Sequence, residues 1–182
     1  VSTQSTGVVG ESGVGKTTLT HRFCYGSFNQ NISATIKGCF FKKEVQINKN
    51  SYSLQIWDTA GQEKFQSLVP HFYKHARFII VCVDASQPIK DQLEQIEHWT
   101  QQIKQNCSQK YDIIYCGTKI DLIPDSSENK IMSQQTDLKI QYCSAKSGEG
   151  VQNVFNLIVQ NVDGEDLIAK KQLVQSIKPG CC

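Results

Sequence analysis

The sequence predicts an α/β fold built on a mostly parallel sheet, and three observations lead there. Apolar periodicity alternates between strand-like and helix-like stretches along most of the chain. Two short continuous runs rich in β-branched residues, Phe78 to Val83 and Ile113 to Cys116, have the character of central strands buried on both faces. Only one neighbouring pair reads as an antiparallel hairpin: Val45 and Ile47, then Tyr52, Leu54 and Ile56, alternate with polar residues on either side of Asn48-Lys49-Asn50-Ser51.

In chain order, Thr6 to Val9 is a short first strand, and a Gly-rich turn leads from it into a helix beginning near Lys16. The hairpin and the Phe78 strand follow. Leu93, Ile96, Trp99 and Ile103 then recur at helical spacing before the Ile113 strand. Ile140 to Cys143 makes a last strand, and Val151, Val154, Phe155 and Ile158 form one face of a closing helix. After Asp163 the pattern decays. The expected organisation is one domain over 1–163 and a flexible tail over 164–182 that carries Lys170, Lys171 and Lys178 and ends in Cys181-Cys182. His71 and His75, four apart, are expected to be surface histidines because no third ligand accompanies them, and Trp57 and Trp99 to be packing residues.

Composition agrees with one compact domain. The 182 residues are 39% hydrophobic and 20% charged, enough apolar matter for a core. A net charge of +2 gives no support for a nucleic-acid partner. Six of the eight cysteines lie far apart with no CxxC, which favours reduced thiols. The longest apolar run, Phe78 to Val83, is far short of the roughly 20 residues a bilayer needs. The chain opens on Val1 rather than Met, which points to a natural start further upstream.

The chemistry begins at Gly10-Glu11-Ser12-Gly13-Val14-Gly15-Lys16-Thr17, which fits GxxxxGK[ST]. Glycines let the backbone bend close to a polyphosphate, the following helix offers N–H groups, Lys16 neutralises the outer phosphates and Thr17 can hold Mg²⁺. Thr118-Lys119-Ile120-Asp121 follows a buried strand, where a carboxylate can accept the two N–H groups that guanine has and adenine lacks. Ser144-Ala145-Lys146 follows the next strand and can present the Ala145 N–H to a guanine carbonyl. Between them, in Trp57-Asp58-Thr59-Ala60-Gly61-Gln62-Glu63, Asp58 can reach a metal through water, Gly61 can offer its N–H to a γ-phosphate and Gln62 can orient an attacking water. Thr35 can serve as a second Mg²⁺ ligand, and Phe28 can pack against the edge of a base.

These elements occur in small-GTPase order over roughly residues 7 to 163, and the chain resembles that superfamily. Gly-Glu-Ser-Gly-Val-Gly-Lys, Trp-Asp-Thr-Ala-Gly-Gln-Glu and a terminal Cys-Cys together resemble Rab proteins, while Phe65 to Pro70 and Cys39-Phe40 resemble the endosomal branch. The resemblance implies a P-loop GTPase fold with a six-stranded sheet, one antiparallel strand and helices on both faces. It implies GTP or GDP held by Ser12 to Thr18, including Val14 and Thr18, by Phe28, Thr35 and Gly61, and by Thr118, Lys119, Asp121, Ser144, Ala145 and Lys146. Mg²⁺ would sit at Thr17, Thr35 and Asp58, with Gln62 as the catalytic residue. It further implies geranylgeranyl groups on Cys181 and Cys182, and residence on the cytoplasmic face of endosomal or other vesicles with cycling to cytosol. The implied partners are an exchange factor, an activating protein, effectors, an escort protein and a GDP-dissociation inhibitor. A binding-only scaffold of the same fold is one rival reading. A small P-loop kinase is the other, with only Arg22 and Arg77 to supply a lid.

Four departures from the family carry expectations of their own. Ser2 to Thr6 is polar where relatives are apolar, so the central sheet is expected to be poorly supported there. Thr118 replaces the usual Asn, and its shorter stem is expected to lose a hydrogen bond. Lys37-Gly38 alters the first switch, and the stretch between Asp121 and Ser144 is a few residues short.

Overall fold

The computed structural model describes residues 2–32, 35, 38–47, 50–59, 69–123 and 138–162. Strands β1 (Ser2–Val9), β2 (Cys39–Ile47), β3 (Asn50–Asp58), β4 (Phe78–Asp84), β5 (Asp112–Thr118) and β6 (Ile140–Tyr142) form one sheet in the order β2-β3-β1-β4-β5-β6. Among the described strands only β2 and β3 pair antiparallel. The α-helices among the described residues are α1 (Lys16–Tyr25), α2 (Val69–Tyr73), α3 (Ile89–Asn106) and α4, helical over 151–162. The predicted mostly parallel sheet with one antiparallel strand is the observed one.

Side chains alternate across the pleat, so one strand feeds two cores. Val8, Ile80 and Cys82 pack with Leu19 and Phe23 of α1 and with Val154, Phe155 and Ile158 of α4. Val9, Ile79 and Val81 pack with Val69 and Tyr73 of α2 and with Trp99 and Ile103 of α3. Every residue of β4 is buried, which is why that segment reads as a continuous apolar run. Each fully buried aliphatic side chain of this kind contributes about 1.5–3 kcal/mol.

Three local expectations are corrected. The first strand begins at Ser2, four residues before the expected Thr6, and pairs with β3 in register from Ser2↔Tyr52 to Val8↔Asp58. A parallel ladder is made by backbone groups, and polar side chains at Ser2 and Thr3 simply face solvent. Likewise β2 starts at Cys39, well before Val45. Its half-buried Phe41, Lys43 and Val45 alternate with exposed Phe40, Lys42 and Glu44, and lysine on an edge strand disguises the apolar period. At the hairpin, Asn50 and Ser51 belong to β3, opposite Ile47 and Gln46, so only 48–49 connect the strands. The helix expected between Asp121 and Ser144 and the tail after Asp163 lie outside the described residues.

Because β1, β3, β4, β5 and β6 run the same way, the residues that end them share one edge: Val9, Asp58, Asp84, Thr118 and Tyr142. The connection leaving β1 runs toward the β3–β2 side and the connection leaving β4 runs toward β5 and β6, so the direction reverses at the β1–β4 boundary. Such a reversal opens a crevice at the carboxyl ends of the strands, which is where doubly wound folds take their ligands.

Candidate nucleotide site

The loop after β1 depends on left-handed backbone at Gly10 (φ 143), Gly13 (φ 78) and Gly15 (φ 94). At Gly10 a Cβ would also lie 2.3 Å from the Cys82 carbonyl oxygen, so no other residue fits. Gly15 caps the start of α1, and Lys16 opens it. Lys16 is 5% exposed, and its ammonium donates to Gly10 O (2.9 Å) and Glu11 O (2.7 Å). Two neutral carbonyls satisfy two of its three N–H donors and leave its charge uncancelled. Burial lowers its pKa, against the attraction of Asp58 and Glu11 nearby. An anion beside the loop would remove that cost.

Next to it, Thr17 Oγ1 donates to Asp58 Oδ2 (2.6 Å) and lies 2.6 Å from Thr35 Oγ1. Asp58 is held in place by its neighbour Thr59, whose hydroxyl and N–H both bond Val8 O. Its other oxygen, Oδ1, is buried without a hydrogen-bond partner. Burial pushes the Asp58 carboxyl up to about 6, while the Thr17 hydrogen bond and the Lys16 charge act the other way. An orphaned, destabilised carboxylate oxygen beside two hydroxyls is a hard oxygen donor set, which suits Mg²⁺.

Further along the edge lies a pocket of about 390 Å³. Gly15, Thr18, Phe28, Thr118, Lys119, Asp121, Ala145 and Lys146, all expected from the sequence, line it. Its two loops are joined by Ser144 Oγ donating to Asp121 Oδ1 (2.6 Å). The same hydroxyl accepts the Ser147 N–H (3.1 Å), closing the Ser-Ala-Lys turn. Lys119 is left-handed (φ 62), the only non-glycine so placed among the described residues, at a cost of about 1–2 kcal/mol.

Thr118 corrects one expectation. Its hydroxyl lies 2.5 Å from Val14 O and 3.0 Å from Val83 O. A single proton serves one of these carbonyls, and the nearer belongs to the phosphate loop. The short stem at the end of β5 therefore does tie this strand end to the Gly10–Thr17 loop.

Gly61, Gln62, Cys181 and Cys182 lie outside the described residues. His71 and His75 are both exposed, and no metal-capable cluster of three His, Cys, Asp or Glu side chains occurs among the described residues. Trp57 packs between Phe40 and Phe72, at centroid distances of 4.9 and 5.9 Å. Trp99 does more than pack, since its indole N–H donates to Glu11 Oε1 (3.2 Å) and so connects α3 to the phosphate loop. Asn29, Gln30 and Leu122, which carry no motif, also line the pocket wall. A motif search has no handle on residues whose only qualification is the path of a loop.

The class follows from the family match: residues 6–164 match the model of the Ras family. Among curated proteins, the chain is 32% identical to the Ras-related protein RabC of Dictyostelium discoideum over 188 aligned positions, covering 96% of this chain and 95% of the relative. It is 34% identical to the Ras-like GTP-binding protein RYL2 of Yarrowia lipolytica, covering 84% and 77%. With human Ras-related protein Rab-30 the identity is 35%, over 81% and 74%. The chain belongs to the Rab group of Ras-family small GTPases, enzymes that bind GTP and hydrolyse it to GDP. That membership retires the kinase reading.

Proposed function

We propose that this GTPase is a switch in vesicle trafficking, whose GTP form displays a surface to effectors and whose GDP form withdraws it. The observation that supports this reading is the convergence, on one sheet edge, of the phosphate loop, the Thr17–Asp58–Thr35 cluster and the Asp121–Ser144 pocket. Lys16 and the amides of Ser12 to Thr18 take the phosphates, and the Asp121 carboxylate and the Ala145 N–H read the guanine edge. Phe28 covers the base, and Lys146 completes the rim. Thr17, Thr35 and Asp58 would hold Mg²⁺, which when bound neutralises charge on the β- and γ-phosphates. Gly61 senses the γ-phosphate, and Gln62 orients the water. Loss of the γ-phosphate frees the segments around Thr35 and Gly61.

Half-exposed Phe40, backed by Trp57 and Phe72, presents an aromatic face on the strand that follows Thr35. Rigid aromatic anchors of this kind suit an effector. An exchange factor, an activating protein, an escort protein and a GDP-dissociation inhibitor complete the expected partners. No helix among the described residues is long and apolar enough to cross a membrane. Membrane residence, at endosomal or related vesicles, is assigned to prenyl groups on Cys181 and Cys182 at the end of the 164–182 tail, since two lipid chains are needed for stable anchoring. Replacing both cysteines with serine is expected to shift the protein from membranes to cytosol with GDP affinity unchanged. Membrane association that survived in a flotation assay would assign the anchor elsewhere.

Single-turnover hydrolysis tests the switch. Ras turns over unaided at about 3–5 × 10⁻⁴ s⁻¹, and a comparably slow rate is expected here. Gln62→Leu should bind GTP as well as the parent and hydrolyse it severalfold more slowly, because leucine has similar bulk and cannot orient water. Equal rates would remove Gln62 from the mechanism, and a negligible rate in the parent would favour the binding-only scaffold.

Thr118→Asn should slow GDP dissociation. The amide can keep the bond to Val14 O and add one to the guanine imidazole ring, worth about 0.5–1.5 kcal/mol, or roughly three- to tenfold. Filter-binding off-rates at fixed Mg²⁺ measure it. An unchanged or faster rate would mean that the Thr118 hydroxyl already supplies all that this position offers.

A further inference from the structure

Asp84 closes β4 at the same edge as the site and is 7% exposed. Its Oδ2 accepts the Lys119 ammonium at 2.7 Å. Its Oδ1 accepts the Ser86 N–H (3.0 Å) and the Ser86 hydroxyl (2.6 Å). Burial raises its pKa, but the bonds from Lys119 and Ser86 outweigh that and keep the carboxyl below its ordinary value. The turn that carries it is fixed from two sides. Fully buried Gln92 of α3 donates Nε2 to Gln87 O (2.6 Å) and Ala85 O (3.3 Å), and the Ala85 N–H donates to Thr118 O (2.9 Å).

Lys119 is the side chain this brace grips. Its left-handed backbone starts the stem at the pocket wall, and its Cε would stand 3.8 Å from a Cβ placed on Gly15. The stem therefore runs across the space between the phosphate loop and the base pocket. A lysine stem is flexible, and an ammonium near phosphates is drawn toward them. A buried carboxylate on the far side removes that freedom. We propose that Asp84 is a positioning residue for nucleotide retention: by clamping the Lys119 ammonium it holds the aliphatic stem of Lys119 as a wall against the bound base and ribose. The inference rests on the base-site reading given above.

A cycle of GDP off-rates tests it, using a fluorescent GDP analogue chased by excess GDP on the parent, Asp84→Asn, Lys119→Met and the double variant. Asn is isosteric and can still accept from Ser86, so the turn is retained. The expected result is about tenfold faster release for Asp84→Asn, faster release for Lys119→Met, and no further acceleration when Asp84→Asn is added to Lys119→Met. Asp84→Glu, which keeps the charge, should lie nearer the parent than Asp84→Asn does. The same acceleration in both backgrounds, no effect of Asp84→Asn, or a glutamate as fast as the asparagine would each overturn the proposal. If Lys119→Met itself released GDP at the parental rate, Lys119 would not retain nucleotide and the proposal would fall, whereas failure of the base-site reading would show instead as unchanged selectivity in Asp121→Ala.

Discussion

Asp121→Ala is expected to abolish the preference for GTP over ATP. Asp121 is exposed, and Ser144 occupies one side of a single carboxylate oxygen, so the group retains acceptor capacity toward the pocket. Two guanine N–H donors facing it would form charge-assisted bonds worth about 1.5–3 kcal/mol each. Adenine would place an acceptor there and leave the carboxylate unpaired. Removing the carboxylate should cost GTP about 10²–10⁴-fold in affinity while leaving ATP binding weak and nearly unchanged. The fold should survive, since only one side-chain bond to Ser144 is lost. A competition titration reads the outcome directly, and selectivity equal to the parent's would place base recognition elsewhere.

Lys16→Met is expected to have two effects of opposite kind. The methionine has similar length and carries no charge. Without nucleotide, the substitution relieves the burial that depresses the Lys16 pKa, so thermal stability should hold or rise slightly. Two carbonyls, on Gly10 and Glu11, lose a donor and limit that gain. With nucleotide, the phosphates lose their buried counter-charge, a deletion of the kind that costs about 2–5 kcal/mol. GDP affinity should then fall about 30- to 5,000-fold by calorimetry. A fall in stability matched by intact affinity would make Lys16 a structural residue.

How much of this was legible depends on how far apart the participants lie in sequence. The phosphate loop is contiguous, so its glycines, Lys16 and Thr17 announce their chemistry locally, and the structure places Lys16 against Gly10 and Glu11. The two loops proposed to take the base each follow a recognisable strand, and the structure brings Asp121 and Ser144 together. Asp84 was not legible. A carboxylate at a strand end is commonplace, and only the register Asp84↔Thr118 brings it beside Lys119. Thr118 shows the same dependence: comparing hydroxyl with amide by length predicted a lost tie, but the strand position shortens the gap that the side chain must span. The first strand was underestimated because ladder pairing between Ser2 and Tyr52 needs no apolar side chain. Gln92 is fully buried among apolar residues of α3, and its reason, two carbonyls on the β4–α3 turn, is a tertiary one.

A guanine nucleotide is expected in the crevice at the carboxyl ends of these strands. The direct measurement is to purify the protein in Mg²⁺-containing buffer without added nucleotide, release any ligand with acid, and identify and quantify it by ion-exchange chromatography. GDP, with some GTP, is expected at close to one equivalent per chain. An adenine nucleotide in that place, or protein that remains empty and also fails to take up GDP at micromolar concentration, would contradict it.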